Sequence, residues 1–398
     1  MFRDITRNNR LLMLALFIWA LGEGLWYYNL RQLYLVELGA TEIQVGNVLA
    51  LEAAFRALMP IPAGYLADRI GARRVMIFSW VLGVLGAALG GLAQTWQGAI
   101  PGLMVYAVSG IAVPSISVFV LKNASTSASG STDRALALVY AVYPAGLIIS
   151  PTMGGLIADA LNIRALLWIS SAFFVISTAV IWLTTEMPAG TAAHHDERPR
   201  DLLRNKPFRR VSGYFLLAIT GLYLGYQLLP NYMHDVRGLT YSGIGLLFSV
   251  AAVGTVIANL LVSRNAPRWN GPMIVGIYTI AMLILWQFDF PIAFVVGFLG
   301  VGSLSAMRSV ATARFADVVS PRNRGLAFGV LETILSLAVG VAGGLAGRLY
   351  ALTPAHDLAF IGVLALAPLL VALWFALWSS LPQQTQTPFP SSLTPGDR

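Results

Sequence analysis

Cysteine is absent from this 398-residue sequence, and charged residues make up only 11% of it. The absence of cysteine excludes disulfide bonds, thiolate metal sites and a cysteine nucleophile. Lysine occurs at only two positions, Lys122 and Lys206, and neither follows a glycine. The Gly-Lys-Ser/Thr loop that cradles nucleotide phosphates therefore cannot form in this sequence, which excludes an ATP-driven pump encoded within it.

Hydrophobic residues, in contrast, account for 57% of the chain, whereas soluble domains contain about 45–50%. Apolar runs of about 20 residues, long enough to cross a bilayer as a helix, recur along the whole sequence. The runs are continuous rather than alternating, which favours helices over a β-barrel. We therefore predict an all-α membrane protein with twelve transmembrane helices, near residues 11–36, 42–66, 74–94, 98–121, 134–158, 164–185, 210–233, 241–263, 272–290, 292–315, 324–348 and 357–381.

Basic residues concentrate on one side of this predicted topology. With the N-terminus inside, twenty of the 26 lysines and arginines fall on the inner side, and only Arg164, Arg237 and Arg348 fall in outer loops. Such a bias is typical of multi-pass membrane proteins, and it explains the net charge of +8 without a nucleic-acid partner. We predict a monomer embedded in the lipid bilayer of the inner (plasma) membrane, with both termini cytoplasmic.

A long polar segment at residues 186–209 divides the predicted spans six and six. The two halves also share short matches, such as G-x-T-x-x-x-x-G at 39–46 and 238–245, and RALA at 134–137 with RGLA at 324–327. Internal symmetry of this kind is typical of secondary transporters. We predict a six-helix bundle at 1–185, a cytoplasmic linker at 186–209, a second pseudo-symmetric six-helix bundle at 210–381 and a disordered cytoplasmic tail at 382–398.

The stretch GYLADRIGARR, residues 64–74, places four charges between two apolar runs. It resembles the signature between the second and third helices of the major facilitator superfamily. The resemblance covers about residues 11–381 and implies a transporter whose two bundles rock. It also implies a cytoplasmic gate in which Asp68 latches the halves, with Arg134 and Arg324 as partners by internal symmetry; the alternative is that these charges only set topology. The predicted gate comprises Gly64, Asp68, Arg69, Gly71, Arg73, Arg74, Arg134 and Arg324.

A second stretch, GLIISPTMGG at residues 146–155, resembles the antiporter motif of the same superfamily. Its matching positions are Gly146, Pro151, Gly154 and Gly155, with Ser150 in place of the central glycine. Proline interrupts helix hydrogen bonding, and glycines allow helices to pack closely. The motif favours export, and the alternative is small-residue packing without directional meaning.

Charged residues within predicted spans are costly and indicate function. Glu52 and Arg56 are one helical turn apart and can pair, and Arg308 and Glu332 lie at similar predicted depths. Glu23 has no obvious ionic partner. Because desolvation favours the neutral form of a carboxyl group, Glu23 is the first candidate for a proton carrier, followed by Glu52 and Glu332; the alternative is a structural role for each.

Polar side chains at helical spacing mark the first span and the symmetry-related seventh span. Together with the charged residues, these stripes predict the walls of a central, water-filled cavity. The predicted proton and substrate cavity comprises Glu23, Tyr27, Arg31, Glu52, Arg56, Tyr223, Tyr226, Gln227, Asn231, Arg308 and Glu332.

The sequence contains no nucleophile–base pair and no metal-ligand cluster that would indicate an enzyme. We predict a secondary transporter that needs no cofactor, uses the proton gradient and exports a small amphipathic molecule by alternating access. One alternative is uptake of a sugar, organic acid or other metabolite by proton symport. Another is a membrane sensor or assembly protein that keeps the fold without transporting.

Overall fold

The computed structural model describes residues 6–60, 63, 66, 69–124, 132–185, 202, 204–320 and 324–380. Within these ranges the chain is helical, with no β-strand. The main helices are α1 (Arg7–Gly24), α2 (Arg31–Glu37), α3 (Glu42–Leu58), α4 (Ala72–Leu92), α5 (Trp96–Val108), α6 (Ala112–Ala124), α7 (Thr132–Ala160), α8 (Ile163–Trp182), α9 (Lys206–Gln227), α10 (Leu229–Asp235), α11 (Tyr241–Arg264), α12 (Pro267–Gln287), α13 (Pro291–Val301), α14 (Ser303–Asp317), α15 (Arg324–Leu352) and α16 (Leu358–Ser380).

Most of these helices belong to membrane spans. Ten segments within the described ranges are long and apolar enough to cross a membrane, from Ala72–Leu92 to Leu358–Ser380. The helices α1 to α3 precede them and correspond to the first two predicted spans, so the structure is consistent with twelve. The predicted all-α membrane fold is confirmed.

Within the described residues, two helix pairs make the most extensive contacts between the halves of the chain. Within the first half, α1 packs against α7 and α8, and α4 packs against α5 and α8. Within the second half, α9 packs against α15 and α16, and α12 packs against α13 and α16. Across the halves, α3 packs along α15 and α7 packs along α11.

We call the end of the molecule that contains the connections 38–41, 161–162 and 236–240 the predicted outer end. At this end the two halves contact each other very closely. A Cβ atom on Gly155 of α7 would lie 2.2 Å from the carbonyl oxygen of Tyr241 in α11. A Cβ atom on Gly46 of α3 would lie 2.6 Å from the carbonyl oxygen of Gly343 in α15. Because a larger residue would force the backbones apart, glycine at these two positions lets the halves meet.

Polar contacts reinforce this closure. The carboxylate of Asp159, at the end of α7, accepts hydrogen bonds from the backbone amides of Tyr241 and Ser242, at 3.0 and 2.9 Å. It therefore caps the first turn of α11, where unpaired amides and the helix dipole favour a negative charge. The Tyr241 hydroxyl also donates to the Glu37 carboxylate at 2.6 Å. The predicted outer end is thus closed by contacts between the two halves.

Four of the predicted continuous spans are interrupted in the structure. The first span breaks at residues 25–30, between α1 and α2, and the seventh breaks at Leu228, between α9 and α10. Pro230 lies at the second break, where its missing amide cannot continue the helix. The fourth span contains a 3-10 turn at Ser109–Ile111, and the tenth is interrupted at Gly302. Three of these segments are still single candidate membrane spans, Trp96–Ser117, Lys206–Asp235 and Pro291–Asp317, so the breaks are local interruptions that the sequence analysis did not predict.

The predicted domain boundaries lie largely outside the described residues. Residues 186–200 of the linker and the tail at 382–398 are among those not described. Helix α9 begins at Lys206, within the predicted linker, and its first turn is capped by the Asn205 side chain.

The contact between α7 and α11 can be tested by cross-linking, because the chain has no native cysteine. The Thr152 hydroxyl oxygen lies 2.8 Å from that of Ser249, so Thr152→Cys combined with Ser249→Cys should form a disulfide under mild oxidation. A protease site inserted into 186–200 would then release two fragments that stay joined on a non-reducing gel and separate after reduction. Each single variant is the control, and complete separation of the double variant without reductant would show that the halves do not meet here.

Candidate functional site

The Glu52 carboxylate is the centre of a buried ionic cluster in the first half. Its Oε2 accepts from Arg31 at 2.7 Å, and its Oε1 accepts from Arg56 at 3.3 Å and from the Tyr27 hydroxyl. Arg56 also donates to the Tyr27 hydroxyl oxygen. The Arg31 guanidinium lies over the Tyr27 ring, 4.3 Å from its centroid, an arrangement that stabilises a cation by the ring quadrupole.

Local structure explains how this cluster assembles. Glu52 and Arg56 share one face of α3 because they are four residues apart, as predicted. Arg31 reaches Glu52 because it begins α2 after the break at 25–30. Tyr27 lies within that break, so Glu23, Tyr27 and Arg31 do not form a stripe on one continuous helix, and that prediction was wrong in this respect.

Glu23 lies in a separate, aromatic environment near the end of α1. Its side chain is 8% exposed, and its Oε2 accepts hydrogen bonds from Trp19 Nε1 at 3.1 Å and from the Tyr143 hydroxyl. The Tyr143 hydroxyl is in turn 2.8 Å from that of Tyr28. Within the described residues Glu23 makes no ion pair, so its hydrogen-bond donors are neutral.

The symmetry-related helices of the second half contribute aromatic and amide groups. Tyr223 and Tyr226 of α9 are half-buried, with ring centroids 5.5 Å apart. Gln227 donates to the Val339 carbonyl oxygen at 2.9 Å, while its own carbonyl, at the break after α9, accepts from Gln32 at 3.1 Å. Asn231 is fully buried, and neither polar atom of its side chain has a hydrogen-bond partner among the described residues.

A second ion pair lies between α14 and α15. Arg308 Nη2 donates to Glu332 Oε1 at 2.6 Å, so the pairing expected from their similar depths is present. Ser305 and Ser309 extend the exposed face of Arg308 along α14, and the Ser309 hydroxyl donates to Asn259 of α11 at 2.8 Å. An arginine and two serines on one exposed helical face are unsuited to lipid and are typical of a polar cavity.

Hydrogen bonds connect these groups across the two halves. The Thr333 hydroxyl, next to Glu332, donates to the carbonyl oxygen of Ala57, next to Arg56, at 3.1 Å. Gln32, next to Arg31, donates to the backbone carbonyl of Gln227, next to Tyr226, at 3.1 Å. We define the central site as this set of residues from both halves. It comprises Glu23, Tyr27, Arg31, Glu52, Arg56, Tyr223, Tyr226, Arg308 and Glu332.

Several of its contacts were not anticipated from the sequence. The alternative for Glu23, a structural carboxyl group bonded to a neighbouring Tyr or Trp, agrees with the bonds from Trp19 and Tyr143, but neither residue was named as the partner. The serine stripe of α14, which continues the polar face of Arg308, was not predicted. The serine stripe could have been predicted from the sequence, because Ser305, Arg308 and Ser309 occur at helical spacing in SLSAMRSVAT, residues 303–312. Tyr143 gave no such signal, because its partner lies 120 residues away in the sequence.

The predicted cytoplasmic gate is only partly visible. Gly64 and Asp68 lie outside the described residues, as do the side chains of Arg134 and Arg324, which belong to the first turns of α7 and α15.

Among the described gate residues, Arg73 donates to the Trp182 carbonyl oxygen at 2.9 Å and to Thr184 at 3.3 Å, at the end of α8 in its own half. Arg69 and Arg74 flank α4's first turn, and Gly71 caps it with a φ of +94°. The proposed latch therefore stays a prediction.

The antiporter-like segment at 146–155 is part of α7, and it contacts other helices on two of its faces. The Ser150 hydroxyl donates to the Ala20 carbonyl oxygen of α1 at 3.2 Å, and Gly146 and Gly154 also face α1 and the residue that follows it. Pro151 and Gly155 face α11 in the other half. The segment thus packs against its own half and the opposite half at once, and helix α7 continues through Pro151.

Comparison with known proteins identifies the family. Residues 12–307 match the sequence model of the Major Facilitator Superfamily. The chain belongs to this superfamily. Membership of this transporter family implies a small-molecule substrate that crosses the membrane.

Individual relatives are distant. The inner membrane transport protein YajR of Escherichia coli (strain K12) is 21% identical over 371 residues, covering 89% of this chain and 78% of that protein. The multidrug efflux pump Tap of Mycobacterium tuberculosis (strain ATCC 25618 / H37Rv) is 25% identical over 268 residues, covering 61% and 62% of the two chains. The crystal structure of the nucleoside transporter NupG shares the fold, with a TM-score of 0.76, 14% identity and coverage of 94% and 99%.

Because the Glu52 cluster is buried, removing its carboxylate should lower the free energy of unfolding more than removing the exposed Glu332. Glu52→Ala leaves Arg31, whose side chain is 11% exposed, without its carboxylate, and breaking a buried pair from one side costs about 3–5 kcal/mol. Glu332→Ala leaves Arg308, whose side chain is 56% exposed, and loss of an exposed pair costs about 1 kcal/mol or less. Thermal unfolding of the purified protein in detergent should therefore show a much larger loss for Glu52→Ala.

The double variant Arg31→Met with Glu52→Leu provides the control, because it removes both buried charges together. It should be more stable than Glu52→Ala alone. Equal losses for Glu52→Ala and Glu332→Ala would contradict the importance of burial at Glu52.

Proposed function

We propose that this protein is a proton-coupled secondary transporter that exports a small amphipathic molecule by alternating access. The observation that carries the proposal is the environment of Glu23. It is a buried carboxyl group with neutral hydrogen-bond donors, whereas Glu52 and Glu332 are ion-paired.

The contrast between these carboxyl groups determines which of them can carry a proton. Protonation of Glu52 would leave the charges of Arg31 and Arg56 uncompensated within the bundle, which is unfavourable. Protonation of Glu23 breaks no ion pair and relieves the cost of burying a charge, while Trp19 and Tyr143 stabilise the ionised form by hydrogen bonds. Both states of Glu23 are therefore accessible.

The closed predicted outer end supports alternating access. The two halves meet there through backbone contacts at glycines and through the Asp159 cap on α11. These are small, separable contacts, suited to breaking when one bundle rotates against the other. A cavity alternately exposed to each side of the membrane would allow Glu23 to bind a proton on one side and release it on the other.

The remaining parts of the proposal concern direction and setting. Export agrees with the antiporter-like segment of α7 and with the names of distant relatives, which include the multidrug efflux pump Tap and a putative sugar efflux transporter of Deinococcus radiodurans. The proposed transporter works as a monomer in the inner membrane with both termini cytoplasmic. The proton gradient supplies its energy, and no cofactor takes part.

The decisive variant is Glu23→Gln, which keeps the shape and hydrogen-bonding capacity of the side chain but cannot ionise. In everted vesicles from efflux-deficient bacteria, energised to be acidic inside, the wild type should accumulate at least one of two amphipathic dyes, the anionic fluorescein or the cationic ethidium, and lose it when a protonophore is added. Glu23→Gln should abolish this gradient-driven accumulation, because an amide side chain neither binds nor releases a proton.

Asp289→Asn is a matched control, because Asp289 is an exposed carboxyl group, 65% accessible, in the connection after α12. It should retain wild-type accumulation at equal expression. Unchanged accumulation in Glu23→Gln would remove Glu23 from the proton path. Proton-driven movement only in the opposite direction would favour the uptake alternative.

A further inference from the structure

In two ion pairs of the central site the arginine is more exposed than its carboxylate partner. The side chains of Arg56 and Arg308 are 41% and 56% exposed, whereas their partners Glu52 and Glu332 are 4% and 31% exposed. The third arginine, Arg31, is 11% exposed, and Glu23 is buried. The most accessible charged groups of the site are therefore Arg56 and Arg308.

The two exposed arginines belong to opposite halves, and their ion pairs lie close together. Arg56 comes from α3, and Arg308 of α14 pairs with Glu332 of α15. The Thr333 hydroxyl, next to Glu332, donates to the carbonyl oxygen of Ala57, next to Arg56, at 3.1 Å. A molecule bound at this junction can therefore reach both guanidinium groups. Since each guanidinium has five N–H donors and carboxylates occupy only some of them, donors remain for a ligand.

The surroundings of this position are amphipathic. The rings of Tyr223 and Tyr226 lie at 64° to each other and offer apolar faces together with polar hydroxyl groups. The stripe of α14 adds the hydroxyls of Ser305 and Ser309 on the exposed side of Arg308. An aromatic or aliphatic group and a polar head group can both be accommodated here.

From these observations we infer that the substrate is an amphipathic organic anion, whose carboxylate, sulfonate or phosphate group binds between Arg56 and Arg308. The inference rests on the proposed transport function and assigns its substrate class. A planar guanidinium recognises such oxyanions with paired hydrogen bonds. A cationic substrate would instead meet the exposed arginines, while Glu52 and Glu23 are buried and Glu332 is less exposed than its partner Arg308.

The sign of the electrostatic potential in the cavity can be measured without knowing the substrate, from the reactivity of a single introduced thiol. The chain has no native cysteine that would also react. Tyr223→Cys places a reporter thiol on α9 in the central site, and Ser305→Cys provides a conservative second reporter on α14. Each is reacted with two reagents of similar size, the anionic 2-sulfonatoethyl and the cationic 2-(trimethylammonium)ethyl methanethiosulfonate. Gln97→Cys, an exposed position beside the start of α5, gives the ratio of the two rates away from the site.

At both reporters the ratio of anionic to cationic reaction rates should exceed that of Gln97→Cys by roughly tenfold, as expected for unit charges a few ångströms apart in a partly hydrated cavity. Adding Arg308→Gln or Arg56→Gln should lower the ratio severalfold, and Arg308→Lys should preserve it. Size-exclusion profiles identify any variant that does not fold. A ratio equal to or below that of Gln97→Cys, or one unaffected by both glutamine substitutions, would overturn the inference.

Ligand protection of the same thiol tests the substrate class. The probes are 1-naphthoate, its neutral analogue 1-naphthamide and the cationic 1-naphthylmethylamine, each present during labelling of Ser305→Cys. The inference requires naphthoate to slow labelling more than the other two, and this advantage should disappear in Arg308→Gln. Naphthoate protecting no better than naphthamide would overturn it.

These measurements are separable from the test of proton coupling. Thiol reactivity requires neither a gradient nor transport. The thiol measurements would therefore still test the substrate class if gradient-driven dye accumulation failed. Conversely, proton-driven transport that persists while the cavity attracts the cationic reagent would support the proposed function and reject the organic anion.

Discussion

A charge that is shielded from water must be balanced by its neighbours, and the Glu52 carboxylate shows how far this constraint shapes the central site. Arg31, Arg56 and Tyr27 reach it from α2, α3 and the break between α1 and α2. The carboxylate therefore joins three successive parts of the chain. It fixes the Tyr27 side chain and leaves Arg56 as the accessible edge of the cluster. The position of Arg56 relative to Glu23 and Tyr223 follows from this arrangement.

The sequence predicts those parts of the structure that depend on local periodicity. Hydropathy locates the spans, and helical spacing predicts the pairing of Glu52 with Arg56. The Arg31–Glu52 pair could not be predicted in this way, because it requires the chain to leave the helix after Gly24 and begin another at Arg31. The bond from Tyr143 to Glu23 was inaccessible for a related reason, since it depends on how α7 packs against α1.

The interrupted helices occur in corresponding parts of the two halves. The first and seventh spans break beside the central site, and the fourth and tenth contain a 3-10 turn and an interruption at Gly302. Unpaired backbone groups within a membrane are tolerated only where protein or water satisfies them. The Gln227 carbonyl, which accepts from Gln32 of the opposite half, is one example. The breaks therefore mark where backbone and side chains of both halves meet around a polar interior.

Within this interior the surroundings of each carboxyl group determine its role. Glu52 is bound to permanent charges, so a change in its protonation would disturb Arg31 and Arg56 together. Glu23 is bound to Trp19 and Tyr143, which remain neutral whether the carboxyl group is ionised or not. The two carboxyl groups therefore differ in the charge of their hydrogen-bond donors, although both are buried in the same half of the protein. A change at Glu23 would disturb neutral aromatic donors, whereas a change at Glu52 would disturb the ion pairs that position Arg31 and Arg56.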